Sequence, residues 1–429
     1  MSRRGLLVLV IAVLAAAVLA VALVWWAPAR ERAFLPFASG RSCVVAVTDD
    51  TDFFQFDTTA PVYALIDSLG IRVTKTVWAF DHADHPPSRA GLSLEDPAYR
   101  EWVLGEAARG HEIALHSATA GHDERAVTVE AHRYLEALTG ERPRMMVFHS
   151  TNREAFYWGS HRLPNPFLRR IYDARTGGRS FEGEDPKSPH YWVDVSRWLV
   201  RYVRGYTTNA VNTLAVNPSM PYSDPWAPAS PLWCASSNGR LAEEFVELLS
   251  PANVQSLKDG EGVSIIYTHL ASGFTEPLEG GGARVTPRAR ETFARCGGDP
   301  DIEFAPAGEV LDRLRLIQFL EDAVDGAELA VEPVMLTIPA GLVPAIDDVS
   351  VVPSRLPKPL DAPRGVSDES VDLKTWLDAV GWEVAPGDVS VFDYAREISL
   401  RERWRLVLRW LAMSFASPAY AYESGRAGA

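Results

Sequence analysis

The chain has few cysteines and no excess of positive charge, and each shortage excludes a class of protein. Only three cysteines occur in 429 residues, too few for a disulfide framework. The formal net charge is −14, which argues against the basic face that a nucleic-acid partner requires. We therefore expect an acidic globular chain that does not bind nucleic acid.

Charged side chains are also absent from residues 5–26. A helix over this run would be roughly 33 Å long, which matches a bilayer core of about 30 Å. Positive charge is greater before the run, at Arg3 and Arg4, than after it, so the N-terminus is expected in the cytoplasm and the body outside. Residues 1–32 are thus predicted as a cytoplasmic stub and single-pass membrane anchor. A cleaved signal peptide, which would release a secreted protein, is the alternative.

Short apolar runs alternate with amphipathic stretches over residues 40–325. Three successive strand–helix units, each with a glycine after its helix, favour a parallel arrangement. We predict an α/β fold, a (β/α) barrel-like domain that is an irregular or incomplete TIM-type barrel. Residues 151–233 break the pattern with many Pro, Trp and Tyr residues, and we interpret them as an elaborated loop region.

The C-terminal part changes in character. Residues 326–395 are predicted as a small β-rich accessory module, 396–418 as an amphipathic helix and 419–429 as a flexible tail. The apolar side chains of residues 400–415 share one helical face. This helix would either dock on the body or lie on an anionic membrane surface.

Several predicted strands end in Asp or His, the kind of side chain that gathers at the C-terminal face of a β/α barrel. These strand-end residues are Asp49, Asp50 and Asp52 after the first strand, then His116, His149 and His269, with His122 in the loop after His116. Carboxylates and imidazoles are the ligands of zinc-like ions. The pattern predicts a metal site at this face.

Asp49-Asp50, the segment GHEIALHS at residues 110–117 and the segment IIYTH at residues 265–269 follow one another along the chain. They resemble the first, second and last motifs of the polysaccharide deacetylases (the NodB-homology family, carbohydrate esterase family four). The resemblance implies a hydrolase that removes acetyl groups from an acetylated polysaccharide or oligosaccharide with a divalent metal, zinc first. It implies Asp49 as the catalytic base, Asp50 and His116 as metal ligands, and His269 as the catalytic acid.

The sequence departs from the family in its second motif, where a second histidine normally follows four residues after the first. Ala120 occupies that position here. Either His122, through a longer loop, or His149, at the neighbouring strand end, would complete the metal shell. The family's middle motifs are not clear either, and polar clusters at residues 145–162 and 204–209 are candidates to replace them.

Three functions are compatible with these observations. The leading hypothesis is a membrane-anchored, metal-dependent deacetylase that acts on an extracytoplasmic glycan. The alternative, prompted by the displaced histidine, is a non-catalytic glycan-binding or cell-envelope assembly protein on the same fold. A glycosidase with paired carboxylates such as Asp49 and Asp52 ranks last, because that chemistry needs no histidines at strand ends.

Overall fold

The computed structural model describes residues 32–85, 90–149, 152–155, 181–223, 228–326, 335–356, 369–388 and 396–399. The predicted anchor and the predicted amphipathic pattern at residues 400–415 lie outside them. Within the described ranges, no helix is long and apolar enough to cross a membrane. One compact unit runs from Arg32 to Glu397 and contains all the elements below.

The strands are short and mostly parallel. In chain order they are β1 (Phe34–Leu35), β2 (Cys43–Asp49), β3 (Thr74–Val77), β4 (Glu112–His116), β5 (Met145–Val147), β6 (Tyr202–Thr208), β7 (Leu232–Asn238), β8 (Val263–Thr268), β9 (Thr275–Pro277), β10 (Ala283–Val285), β11 (Ile302–Phe304), β12 (Met335–Pro339), β13 (Ser350–Val351), β14 (Val371–Asp372) and β15 (Glu383–Gly387). Strands β2 to β8 pair in parallel, each with the next, and β8 pairs back onto β2. The result is a closed seven-stranded barrel, which confirms the predicted fold class.

The helices connect successive strands. They are α1 (Phe56–Ser68), α2 (Pro97–Ala108), α3 (Arg125–Thr139), α4 (Val193–Leu199), α5 (Thr213–Val216), α6 (Ala242–Leu248), α7 (Pro251–Asp259), α8 (Pro287–Gly297), α9 (Ala307–Gly326) and α10 (Leu373–Val380). Local sequence sets their ends. Asp96 caps α2 by accepting the N–H of Tyr99 at 2.9 Å, and Gly140 ends α3 in the left-handed conformation.

Barrel strand β6 falls in the stretch, residues 151–233, that the sequence predicted as loops, and β7 begins at the end of that stretch. Arg204 and Gly205 interrupt the apolar run of β6, and the register with β7 shifts between Arg204 and Tyr206. A Cβ at Gly205 would lie 2.4 Å from the Trp233 side chain, so glycine permits the close approach of these strands. The loop prediction was wrong for β6, because Arg204 and Gly205 are residue types that are uncommon in a buried strand.

The C-terminal residues pack on the last barrel helix, α9. Strand β12 pairs in parallel with β15, while β1, β13 and β14 form a small antiparallel sheet. Leu316 and Leu320 of α9 share a buried core with Phe34 and with Trp376 of α10. The module predicted as β-rich therefore contains α10 and a 3₁₀ helix, Ala340–Asp348, beside its strands.

Candidate active site

Asp52 lies at the centre of a histidine cluster at the C-terminal end of the barrel. Its Oδ2 is 2.9 Å from Nε2 of His116 and 3.4 Å from Nε2 of His269, and its Oδ1 is 3.1 Å from Nε2 of His149. Burial would raise the pKa of Asp52, but the charges of His116 and His149 hold it well below its ordinary value. Three of the predicted histidines thus meet at one carboxylate.

His149 is oriented by Asn152. The amide nitrogen of Asn152 donates to the Thr119 carbonyl at 3.2 Å and to Oε1 of Glu154 at 2.8 Å, so the amide oxygen faces His149. Nδ1 of His149 therefore donates to Asn152 Oδ1 at 3.1 Å, and Nε2 points to Asp52. Burial opposes the charge of His149, yet the Asp52 carboxylate raises its pKa to about 9.

His269 is oriented in the same way. Its Nδ1 donates to the carbonyl of Arg240 at 3.1 Å, which leaves Nε2 facing Asp52. Burial would lower the pKa of His269, but its contact with Asp52 raises it. Two histidines from different strand ends therefore present the same nitrogen to the same carboxylate.

Asp50 is paired with an arginine from β6. Arg204 donates from Nη1 to Oδ1 at 2.8 Å and from Nη2 to Oδ2 at 2.5 Å, and both side chains are buried. Burial would raise the pKa of Asp50, but the Arg204 charge lowers it. Oδ2 of Asp50 is 4.0 Å from Nδ1 of His116, so the pair borders the histidine cluster.

Asp49 is fully buried, and its carboxylate accepts hydrogen bonds from three other groups. Oδ2 accepts from Lys75 Nζ at 2.8 Å and from the Tyr63 hydroxyl at 3.0 Å, while Oδ1 accepts the N–H of Leu270 at 2.8 Å. These bonds tie β2 to β3, α1 and the segment after β8. The base role that the resemblance implies for Asp49 stays a prediction, and this placement does not favour it.

The two candidates for the displaced histidine are placed differently. His149 contacts Asp52, as described above. His122 is exposed, and within the described part of the chain it forms no ion pair with Asp50, Asp52 or His116. Partial desolvation of the ring and the charge of Arg153 lower the pKa of His122. The structure therefore brings His149, and not His122, to the cluster.

The cluster fits a divalent metal ion. Ligand atoms of Asp50, Asp52 and His116 all lie within 4.8 Å of one another. Nδ1 of His116 is buried without a hydrogen-bond partner among the described residues, and Nε2 has only the Asp52 carboxylate at 2.9 Å, without good hydrogen-bond geometry. Such nitrogens are costly unless something satisfies them. Two histidines and one carboxylate, here His116, His149 and Asp52, are a known ligand set of catalytic zinc.

Sequence reasoning gave three residues of this site no individual role in the predicted deacetylase. Asp52 stands two residues after Asp50, and this spacing was the available signal that both carboxylates reach the same face. Arg204 was noted only as part of a polar cluster, because its strand was not recognised. Asn152 carried no local signal, since its role depends on Thr119 and Glu154, which are its partners only in the fold.

No family model and no curated protein sequence matches the chain. Similar solved structures include an allantoinase, with 13% identity over 66% of this chain and 93% of that one, TM-score 0.38. A peptidoglycan deacetylase from Bacillus subtilis has 12% identity over 68% and 99%, TM-score 0.33. A family 4 acetyl xylan esterase from Clostridium thermocellum, solved with a cobalt ion, has 16% identity over 62% and 89%, TM-score 0.32. Likeness this distant carries no argument about the reaction.

Proposed function

We propose that the chain is a metal-dependent hydrolase that removes acetyl groups from a glycan outside the cytoplasm. The observation that carries the proposal is the convergence of three histidine Nε2 atoms on Asp52 at the barrel's C-terminal end. Buried groups with perturbed pKa values in such a cluster are typical of functional sites. The sequence motifs that resemble the polysaccharide deacetylases support the acetyl group as the one removed.

Asp52, His116 and His149 would hold the metal, and zinc is the first candidate for this ligand set. When bound, a divalent ion polarises the acyl oxygen and lowers the pKa of a water molecule. His149 is prepared for this role because Asn152 keeps the proton on Nδ1. A neutral His149 therefore offers the lone pair of Nε2.

Asp50 and His269 would move the protons. Arg204 keeps Asp50 ionised, and each carboxylate oxygen retains a lone pair that can accept a proton from water. The raised pKa of His269 favours its protonated form, which can give the Nε2 proton to the departing amine. Asp50 rather than Asp49 is the proposed base, because the carboxylate of Asp49 is held by Lys75 and Tyr63.

The test compares two histidines that the sequence left as equal candidates. His149→Ala, in the full chain, is expected to lose bound metal and to release acetate from an N-acetylglucosamine oligomer about a thousandfold more slowly. His122→Ala is the matched control and is expected to keep both metal content and rate. Metal content is measured by plasma emission spectroscopy. Equal metal content in His149→Ala and wild type would contradict His149 as a metal ligand.

A second candidate function is a non-catalytic glycan-binding or cell-envelope protein. The observation in its favour is that Asp50 and Asp52 are already balanced by Arg204 and the histidines, so the charges of the cluster are compensated within the protein. Metal-loaded full-length protein that binds acetylated oligosaccharides and releases no acetate would support this candidate over the hydrolase.

We also propose that residues 5–26 hold the body on the outer side of a membrane. The uncharged run and the greater positive charge before it support this orientation. Residues 400–415 would then either dock on the body or lie on the same membrane. Protease added to intact cells is expected to digest the body, and full protection of the body with an accessible N-terminus would contradict the orientation.

A further inference from the structure

Phe53, the residue after Asp52, holds its ring in solvent on a backbone conformation that favours glycine. Its φ of 63° lies in the left-handed region, where a bulky side chain is strained. The Phe53 side chain is 56% exposed. Burial of the ring therefore does little to offset the strain, and the fold alone does not account for a phenylalanine at this position.

The neighbouring backbone holds Phe53 in this conformation. The N–H of Phe53 donates to the carbonyl of Ala90 at 2.7 Å, and the N–H of Phe54 donates to the carbonyl of Thr51 at 3.1 Å. The Phe54 ring is fully buried and packs 4.6 Å from the ring of Tyr99, centroid to centroid. Phe54 thus occupies the interior, and the ring of Phe53 is directed outward.

Gly91 completes the turn around Phe53. Its φ is 111°, and a Cβ there would lie 2.7 Å from the Phe54 nitrogen and 3.0 Å from the Thr51 oxygen. Two positive-φ positions are therefore packed against each other, one occupied by glycine and one by phenylalanine. A glycine at position 53 would make the same backbone hydrogen bonds with less strain.

The exposed ring lies beside the histidine cluster. The ring centroids of Phe53 and His269 are 6.2 Å apart, with the planes tilted by 52°. A flat apolar ring next to buried acids and bases suits a ligand that has both an apolar face and polar edges. A sugar ring has this chemistry, because its axial C–H groups form an apolar face while its hydroxyls lie at the rim.

We propose that Phe53 is a binding subsite on which the apolar face of a sugar ring stacks, next to the position where the acetyl group is removed. The identity of the ligand as a glycan rests on the proposed function. The subsite itself rests on the strain, the exposure and the position of the ring. Phe53 positions substrate and takes no part in proton transfer.

The test measures binding of an N-acetylglucosamine tetramer to the full chain in an Asp50→Asn background, which removes the proposed base. Phe53→Gly and Phe53→Leu are each expected to raise the Kd by about tenfold, because both remove the ring. Phe53→Trp, which keeps a ring, is expected to bind within about twofold of the parent. Trp198→Ala is the matched control, since Trp198 is 74% exposed on α4, and its Kd is expected to be unchanged.

A stability measurement separates a stacking ring from a packing ring. Phe53→Gly is expected to keep its Tm within about 2 °C of the parent or to raise it, because backbone strain is relieved. Any binding pattern other than loss with Gly and Leu and retention with Trp overturns the subsite, and so does a parent that does not bind the tetramer. A different result would separate the two proposals. If binding depends on the ring but the chain with native Asp50 releases no acetate, the proposed reaction is contradicted and the subsite is retained.

Discussion

Two clusters of carboxylates and histidine lie at opposite ends of the barrel. In each, three potential metal-ligand atoms lie within 4.8 Å of one another: Asp50, Asp52 and His116 after the strand ends, and Asp67, Glu106 and His111 before the start of β4. By composition and spacing, either group is a candidate for a metal ion. The hydrogen bonds of their histidines separate them.

His111 is oriented against metal binding through Nε2. Its Nδ1 accepts the backbone N–H of Val73 at 3.0 Å, so the neutral ring carries its proton on Nε2, which lies 2.8 Å from Asp67 Oδ1 and donates to it. At the other end, His149 adjoins the first cluster through Asp52, and its Nδ1 donates to Asn152. The neutral form of His149 therefore carries its lone pair on Nε2, on the side of the cluster. The partner of Nδ1, rather than the number of carboxylates, therefore decides which cluster suits a metal.

The largest expected effect tests the second cluster as a purely structural one. His111→Ala leaves the Val73 N–H and the Asp67 carboxylate without their buried partner, and we expect a loss of about 3 kcal/mol in the free energy of unfolding. Denaturant titration measures the loss, and metal analysis of the folded protein is expected to show no change. A fall in metal content per folded chain would show that the His111 cluster also binds metal and would contradict the distinction between the two clusters.

The second expected effect is a pH dependence of stability that arises at Glu106. Burial and the nearby Asp67 charge raise the pKa of Glu106 to about 7, from an ordinary value of 4.5. A raised folded-state pKa stabilises the fold below pH 4.5, and this contribution, about 3 kcal/mol, is lost as the pH rises through 7. Glu106→Gln is expected to remove the slope measured by denaturant titration between pH 5 and 8.

Glu101→Gln serves as the control for the Glu106 prediction, because Glu101 is an exposed carboxylate on the same helix. Its stability is expected to follow that of the wild type across the pH range. A Glu106→Gln variant with the same slope as the wild type would show that Glu106 does not hold an additional proton in the folded state.

The smallest expected effect sharpens the role of Nδ1 at the first cluster. Asn152→Leu removes the acceptor that keeps the His149 proton on Nδ1, and we expect metal affinity to fall by about 10- to 100-fold. Competition with a chelator of known affinity measures the change. Asn217→Leu is the control, since Asn217 is also buried and, among the described bonds, its side-chain amide donates only to the Thr213 carbonyl, at 3.1 Å. Equal losses in the two variants would reduce Asn152 to a packing role.

Much of the barrel was predictable because its signals are local. Strands β2, β4, β5 and β8 are apolar runs of four or more residues or end in conspicuous polar groups, and glycines follow several helices. Strand β6 was not predictable, since Arg204 is tolerated in its interior through partners on β2 and just after it, the Thr48 hydroxyl and the Asp50 carboxylate. A charged residue within a short apolar run favours a loop prediction, because its buried partner is not visible in the sequence.

The candidate site was predictable in part for the same reason. The order of the Asp and His segments already placed Asp50, His116, His149 and His269 at one end of a parallel barrel. The choice between His149 and His122 depended on the distance to Asp52, which residue spacing does not contain. The engaged carboxylate of Asp49 likewise depended on Lys75, 26 positions away.

Residue order alone therefore established the barrel class and the end of the barrel where acids and histidines collect. The folded chain decided which carboxylate faces the histidines, which of His122 and His149 lies beside it, and how the similar cluster around His111 differs. The physical reason is that strand ends and helix ends follow from neighbouring residues, whereas the protonated nitrogen of a histidine follows from partners that the chain brings in from elsewhere.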